Sequence, residues 1–214
     1  MSASDQRPDY FRDDTLLKDA LRLGRLSQRD SFPSQLAKAQ SLFQIYQSRS
    51  PQPFVLAPTL PVSQYADDLS QALSEHQVII IEGATGSGKS TQVPKILLNL
   101  GLSHYGKIGI TQPRRLAATM LCSRLRQETF DVAGELIGSQ VRHYKNVNSL
   151  HRVKVMTDGI LLQEAIGDRT LSDYQAIILD EVHERSINTD LLLGLIKKAL
   201  VKRPDLKVIL LSAT

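Results

Sequence analysis

The feature that most constrains this chain is a repeating alternation of short apolar runs and helical stretches from about residue 63 to residue 214. Val78-Ile79-Ile80-Ile81, Lys107 to Thr111, Val153-Lys154-Val155-Met156, Ala176-Ile177-Ile178-Leu179 and Val208-Ile209-Leu210-Leu211 have the length and β-branched content of strands. The Val78 and Ala176 runs are continuous, as in strands buried on both faces. Between the runs lie helical patterns over Lys89 to about Leu100, stopped by Gly101, and over Leu116–Glu128, Ile160–Ile166 and Asp190–Val201. Strands joined through helices pair in parallel, so the pattern predicts an α/β fold: a mostly parallel sheet with helices on both faces. Such sheets bind ligands at the carboxyl ends of their strands.

What precedes this zone has a different character. Leu16, Leu17, Leu21 and Leu23, then Leu36, Leu42, Phe43, Ile45 and Tyr46, recur at helical spacing. Gly24 and Ser31-Phe32-Pro33-Ser34 divide residues 1–50 into at least two helices. Pro51, Pro53, Pro58 and Pro61 then make residues 51–62 an extended, proline-rich linker. Aromatic residues are 5% of the chain and Trp is absent, so the core must be built from Ile, Leu, Val and Ala.

The single cysteine, Cys122, excludes an internal disulfide and fits a reducing compartment. The polar start, with Asp5 and Asp9, lacks the apolar stretch of a secretory signal, and no apolar run approaches the ~20 residues of a membrane span. The expected location is the cytoplasm. Residues 1–74 hold eight basic and eight acidic side chains, so the whole net charge of +4 lies in residues 75–214. That excess suits contact with phosphates and equally suits an ordinary soluble surface.

Gly83-Ala84-Thr85-Gly86-Ser87-Gly88-Lys89-Ser90 fits the phosphate-binding pattern G-x-x-x-x-G-K-[ST] and sits between a strand and a helix. Glycines let the backbone turn its N–H groups inward as an anion nest, and the helix beginning near Lys89 points its positive end at the same place. Lys89 reaches the β/γ-phosphates, the Ser90 hydroxyl can ligate Mg2+, and Thr91 extends the nucleotide-binding set. Asp180-Glu181-Val182-His183 follows the fourth apolar run. A carboxylate there is costly unless paired or metal-linked. Asp180 is therefore expected to hold Mg2+ and Glu181 to orient or activate the attacking water. These two motifs give ATP and Mg2+ as ligands and nucleotide hydrolysis as the reaction, with Glu181, Lys89 and His183 as catalytic candidates.

Five motifs in order carry a family resemblance over about residues 75–214. Beside the phosphate loop, Asp180-Glu181-Val182-His183 resembles the D-E-x-H box of superfamily 2 helicases, and His183-Glu184-Arg185-Ser186 extends it in the DEAH manner. Thr111-Gln112-Pro113-Arg114-Arg115 is similar to motif Ia, Thr157-Asp158-Gly159 to motif Ib, and Ser212-Ala213-Thr214 to motif III. The whole resembles bacterial DEAH-box RNA helicases of the HrpA type. The resemblance implies a RecA-like P-loop NTPase domain over residues 63–214. It makes RNA the partner, with Arg114, Arg115 and Thr157 on its backbone. It also implies that Arg124 stacks on adenine, that His183 links the nucleotide site to motif III, and that Ser212 and Thr214 couple the two activities.

Three positions depart from the family pattern: Val182 stands where Ala is usual, Ala84 where Glu is usual and Ser90 where Thr is usual. Ser90 keeps the hydroxyl. The chain stops inside motif III, which reads as a fragment lacking a second RecA-like domain and its arginines. A fragment of that kind is expected to bind ATP weakly and hydrolyse it very slowly. Two other readings stand beside the RNA helicase. One is a P-loop translocase acting on DNA, since phosphate contacts read neither sugar nor sequence. The other is a catalytically silent nucleotide-binding module.

Overall fold

The computed structural model describes residues 32–48 and 53–213. The helical pattern expected before residue 32, together with Pro51 and Thr214, lies outside the described residues. The described chain runs through α1 (Phe32–Ser48), α2 (Ala66–Glu75), β1 (Val78–Glu82), α3 (Lys89–Asn99), β2 (Lys107–Gln112) and α4 (Arg115–Glu128). There follow β3 (Ile137–Val141), β4 (Tyr144–Asn146), β5 (Val153–Thr157), α5 (Asp158–Gly167), β6 (Tyr174–Leu179), α6 (Ile187–Lys202) and β7 (Lys207–Ser212). Short 3-10 turns cover Pro61–Tyr65 and Val182–Glu184.

The seven strands form one sheet in the order β1-β7-β6-β2-β5-β3-β4. All neighbours are parallel except the β3–β4 pair. Register puts Ile108 beside Val153 and Ala176, and Ile110 beside Val155 and Ile178. That face is covered by Leu69 and Leu73 of α2, Val93, Ile96 and Leu97 of α3, and Ala118, Leu121 and Leu125 of α4. On the other face Met156, Ile177, Leu179 and Val208 pack against Leu161 and Ala165 of α5 and Leu192, Ile196 and Ala199 of α6. The period-2 alternation along each strand thus feeds two cores, and the helices lie on both faces as the pattern predicts.

Two expectations need correction. β1 is not buried on both faces: it is the edge strand beyond β7, with Val78 41% and Ile80 68% exposed. Only Ile79 and Ile81 turn into a core, because α5 and α6 cover β5, β6 and β7 and do not extend over β1. The sheet also has two strands that no apolar run announces. β3 reads Ile137-Gly138-Ser139-Gln140-Val141, and a Cβ at Gly138 would lie 2.6 Å from the Asn146 carbonyl oxygen of β4. Close backbone approach, rather than side-chain bulk, determines that strand.

The proline-rich stretch is irregular over residues 53–57, turns at residues 58–60 and enters the 3-10 turn at Pro61, so the expected extended linker ends early; its first part is strapped to α3. Asn99 exchanges two hydrogen bonds with the backbone of Phe54 (2.8 and 2.9 Å), and the Ala57 N–H donates to Gln92 Oε1 (3.0 Å). Prolines leave the strap without a sheet to join, so helix side chains satisfy its backbone. At the far end of the sheet, α1 is fixed by Tyr46, whose hydroxyl donates to the carbonyls of Ser103 (2.7 Å) and Gly106 (3.1 Å). The Arg152 guanidinium lies 3.9 Å over the Tyr46 ring. Buried Arg152 also donates to the carbonyls of Tyr46 and Ser103, so polar groups and the ring face meet its charge.

Candidate nucleotide and nucleic-acid site

The strand order brings three motif-bearing strand ends together. β1 ends at the glycine loop, β6 ends at Asp180, and β7, ending at Ser212, lies between them. The Gly83 N–H donates to the Ser212 carbonyl at 3.2 Å, so the start of the loop is an extension of the β1–β7 ladder. Ala84, Thr85 and Gly86 form the exposed tip. Gly86 (φ 84°) and Gly88 (φ 91°) adopt left-handed conformations that side chains resist. Gly88 caps α3, whose first residue, Lys89, is buried. Its ammonium donates to the Gly83 carbonyl, to the Ala84 carbonyl at 3.0 Å and to Ser87 Oγ at 3.3 Å. The cation is thus held by the loop at the first residue of α3, where a phosphate group in the loop would meet both it and the helix N-terminus. Thr91, one turn in, donates its hydroxyl to the Gly88 carbonyl (3.4 Å) and accepts from Gln92 (2.9 Å).

Opposite, the buried carboxylate of Asp180 accepts the Ser90 hydroxyl, the Glu181 N–H (2.9 Å) and Gln112 Nε2 (2.5 Å). Burial pushes its pKa up; the hydrogen bonds of Ser90 and Gln112 oppose that, and the neighbouring Glu181 charge adds to it. A divalent cation would relieve that cost. Ser90 and Asp180, joined here by one hydrogen bond, are the hydroxyl-plus-carboxylate pair that magnesium takes when substrate phosphates and water complete its shell. The residues therefore fit the Mg2+ expected from the motifs.

Glu181 adopts a left-handed conformation (φ 55°), as does Arg185 (φ 51°), and the turn Val182–Glu184 lies between them. For non-glycine residues such geometry costs roughly 1–3 kcal/mol and tends to mark functional sites. His183 bridges two motifs. Its Nδ1 accepts the Ala213 N–H (3.3 Å), which leaves Nε2 as the protonated nitrogen facing Glu181 Oε2 at 3.3 Å.

Arg124, 64% exposed, pairs with Glu128 at 2.7 Å, and Glu128 also accepts from Gln92 and Lys95 of α3. Arg124 is thereby tied to the helix that carries the glycine loop. Arg114 stands at the N-cap of α4 and Arg115 at its first residue, both exposed. Thr157 caps α5 without a side-chain hydrogen bond. Next to it, buried Asp158 accepts the Thr189 hydroxyl (2.9 Å), and the Thr189 N–H donates to Ser186 Oγ (3.1 Å). Gln112, Gln92, Glu128 and Asp158 carry these links; Gln92 and Glu128 lie outside every motif, and Gln112 and Asp158 lie inside motifs that assign them no role. For Gln112 the signal was its place at a strand end inside Thr111-Gln112-Pro113-Arg114-Arg115.

Residues 63–214 match the model of the DEAD/DEAH box helicase family. The chain belongs to that family. Within it, the chain is 52% identical over 155 residues to the ATP-dependent RNA helicase HrpA of Escherichia coli strain K12, covering 72% of this chain and 12% of that protein. It is 44% identical to the probable ATP-dependent RNA helicase DHX34 of Mus musculus, over 72% of this chain and 13% of that one. The crystal structure of the Escherichia coli DEAH/RHA helicase HrpB superposes with a TM-score of 0.68 at 36% identity, covering 73% of this chain and 20% of that one. The chain thus spans about an eighth of the length of these curated relatives. The parallel sheet with helices on both faces is the RecA-like domain of the DEAD/DEAH box helicases. Among the described residues no helix is long and apolar enough to cross a membrane.

Proposed function

We propose that this chain supplies the first RecA-like, ATP-binding domain of an ATP-dependent, DEAH-type RNA helicase, in the cytoplasm. The observation that carries the reading is the junction of Ser90 with Asp180 beside the loop-held ammonium of Lys89. Gly83 to Ser90 would wrap the triphosphate, with Lys89 turning from the loop carbonyls to the phosphate oxygens. Ser90 and Asp180 would hold Mg2+, which when bound neutralises charge developing on the phosphates. Glu181, oriented by the protonated Nε2 of His183, would accept a proton from water; His183 would pass the change to Ala213. Arg124 would cover the base. Arg114, Arg115 and Thr157 would take RNA phosphates, and Ser212, through Gly83, would join the two sites. Names of the relatives support RNA as the substrate.

The test is titration of a fluorescent ATP analogue into the chain with and without Mg2+, comparing wild type with Lys89→Ala. Magnesium should tighten wild-type binding, and Lys89→Ala should abolish it while the circular-dichroism melt is retained. Equal affinity in the two proteins contradicts the phosphate-cradle reading. Parallel titrations with RNA and DNA oligonucleotides at matched salt decide between the helicase substrates, because equal affinity for both would favour a translocase that reads only backbone charge.

A further inference from the structure

We propose that Glu184 is a positioning residue for RNA: its carboxylate occupies the Arg114 guanidinium in place of an RNA phosphate and is exchanged for that phosphate when RNA binds. The inference rests on the reading of Arg114 as a backbone contact and adds to it a competitor that no motif assigns. Arg114 Nη2 donates to Glu184 Oε1 at 3.3 Å, across 70 residues of sequence, with the Arg114 side chain 76% exposed. Glu184 has no rival cation in the adjacent Arg185, because Arg185 is engaged by Asp190 at 2.9 and 3.2 Å.

The geometry makes this contact replaceable and its neighbours permanent. Two residues before Arg114, Gln112 is bonded to Asp180 within the buried strand ends, so the β2–α4 connection and the Asp180 segment already meet at a fixed point. Asp158 fixes the other nucleic-acid-facing connection to the first turn of α6 through Thr189. The Arg114–Glu184 pair is the solvent-facing one of the three, and a single-point exposed pair is weak. A phosphate group offers a guanidinium two parallel hydrogen bonds, and at the start of α4 it also meets the positive end of the helix, which carries no acidic residue in its first turn. Exchange should therefore run toward RNA. Glu184 is also the last residue of a turn flanked by left-handed Glu181 and Arg185, so the contact that RNA would break helps hold Glu181.

The experiment is fluorescence anisotropy of a labelled single-stranded RNA oligonucleotide with the chain, at several salt concentrations, for wild type, Arg114→Ala, Glu184→Gln, Glu184→Asp and Arg114→Ala/Glu184→Gln. Arg114→Ala should weaken binding and reduce the salt slope by about 0.7, the share of one phosphate contact on a single strand. Glu184→Gln should tighten binding about two- to fivefold, the scale of one exposed ion pair, and Glu184→Asp should return it toward wild type. In the Arg114→Ala background, Glu184→Gln should have no effect, because the contested guanidinium is gone. A gain that persists in that background shows only general charge removal and overturns the proposal. Unchanged affinity in Glu184→Gln, with Arg114→Ala weakened, overturns the proposal while leaving the RNA reading of Arg114 in place. Unchanged affinity in Arg114→Ala overturns that reading and the proposal with it.

Discussion

Gly88 is where the strap, the phosphate loop and α3 meet, and its replacement by alanine separates two physical costs. The residue has φ 91°, and a Cβ built there would lie 2.8 Å from Leu60 Cδ1, 3.0 Å from Leu60 Cβ and 3.3 Å from Gln92 Cγ. The left-handed conformation costs an L-residue about 1–2 kcal/mol. Forcing a methyl group against Leu60 adds about 1–3 kcal/mol of overpacking, since part of the contact is to Cβ and cannot swing away. Gly88→Ala should therefore lose about 2–5 kcal/mol. Gly86→Ala is the internal control: φ is 84°, and nothing lies within 4 Å of its Cβ. It should lose only the conformational share, about 1–2 kcal/mol. Urea unfolding of both variants, alone and with Leu60→Ala, measures the difference. Leu60→Ala removes the nearest atom, so it should shrink the Gly88→Ala loss and leave the Gly86→Ala loss unchanged. The two alanine variants agreeing within about 0.5 kcal/mol, the ordinary limit of additivity, would refute the claim that the strap bears on the loop.

Two further outcomes follow from charges held by several hydrogen bonds. Arg203 is fully buried, with its guanidinium on the carbonyls of Thr170 (3.0 Å), Leu171 (3.3 Å) and Tyr174 (2.9 Å) and on Asp205 (2.8 Å). Arg203→Ala should destabilise by about 3–5 kcal/mol in urea unfolding, and a loss below about 1 kcal/mol would contradict this network. Asp168 accepts hydrogen bonds from the N–H and hydroxyl groups of Thr170 and Ser172; burial opposes its ionisation, but those donors outweigh it and lower its pKa to about 2. A lowered folded pKa means stability present above about pH 4 and lost as pH falls toward 2. The contribution is about 1 kcal/mol after allowing for solvent screening of a partly exposed group. Asp168→Asn should flatten that part of the stability–pH curve, and an unchanged acid limb would remove the role.

The alternation of apolar runs was enough to read five strands, because each of them feeds a core and carries bulk for it. It could not reveal β3, where Gly138 and Ser139 serve backbone approach, nor the edge position of β1, whose Val78-Ile79-Ile80-Ile81 looks like any doubly buried strand. Edge or centre depends on which strands become neighbours, and the order β1-β7-β6-β2-β5-β3-β4 is set by crossovers that periodicity does not record. The site divides in the same way. Gly86, Gly88, Lys89, Ser90 and Asp180 were legible because backbone conformation and phosphate chemistry restrict residue type at each position. Gln112 with Asp180, Arg114 with Glu184 and Asp158 with Thr189 join residues 68, 70 and 31 positions apart, and nothing in the spacing announces these pairings. Yet all three bonds end on the segment from Asp180 to Thr189, which follows one central strand. In a parallel sheet every strand delivers its carboxyl end to the same edge, so loops far apart in sequence are neighbours by construction. Asp180 lies between the glycine loop and the two arginine- and threonine-bearing connections because β6 lies between β7 and β2. A change felt at its carboxylate therefore has a buried polar path to Gln112, and through Pro113 to Arg114, only because of that strand order.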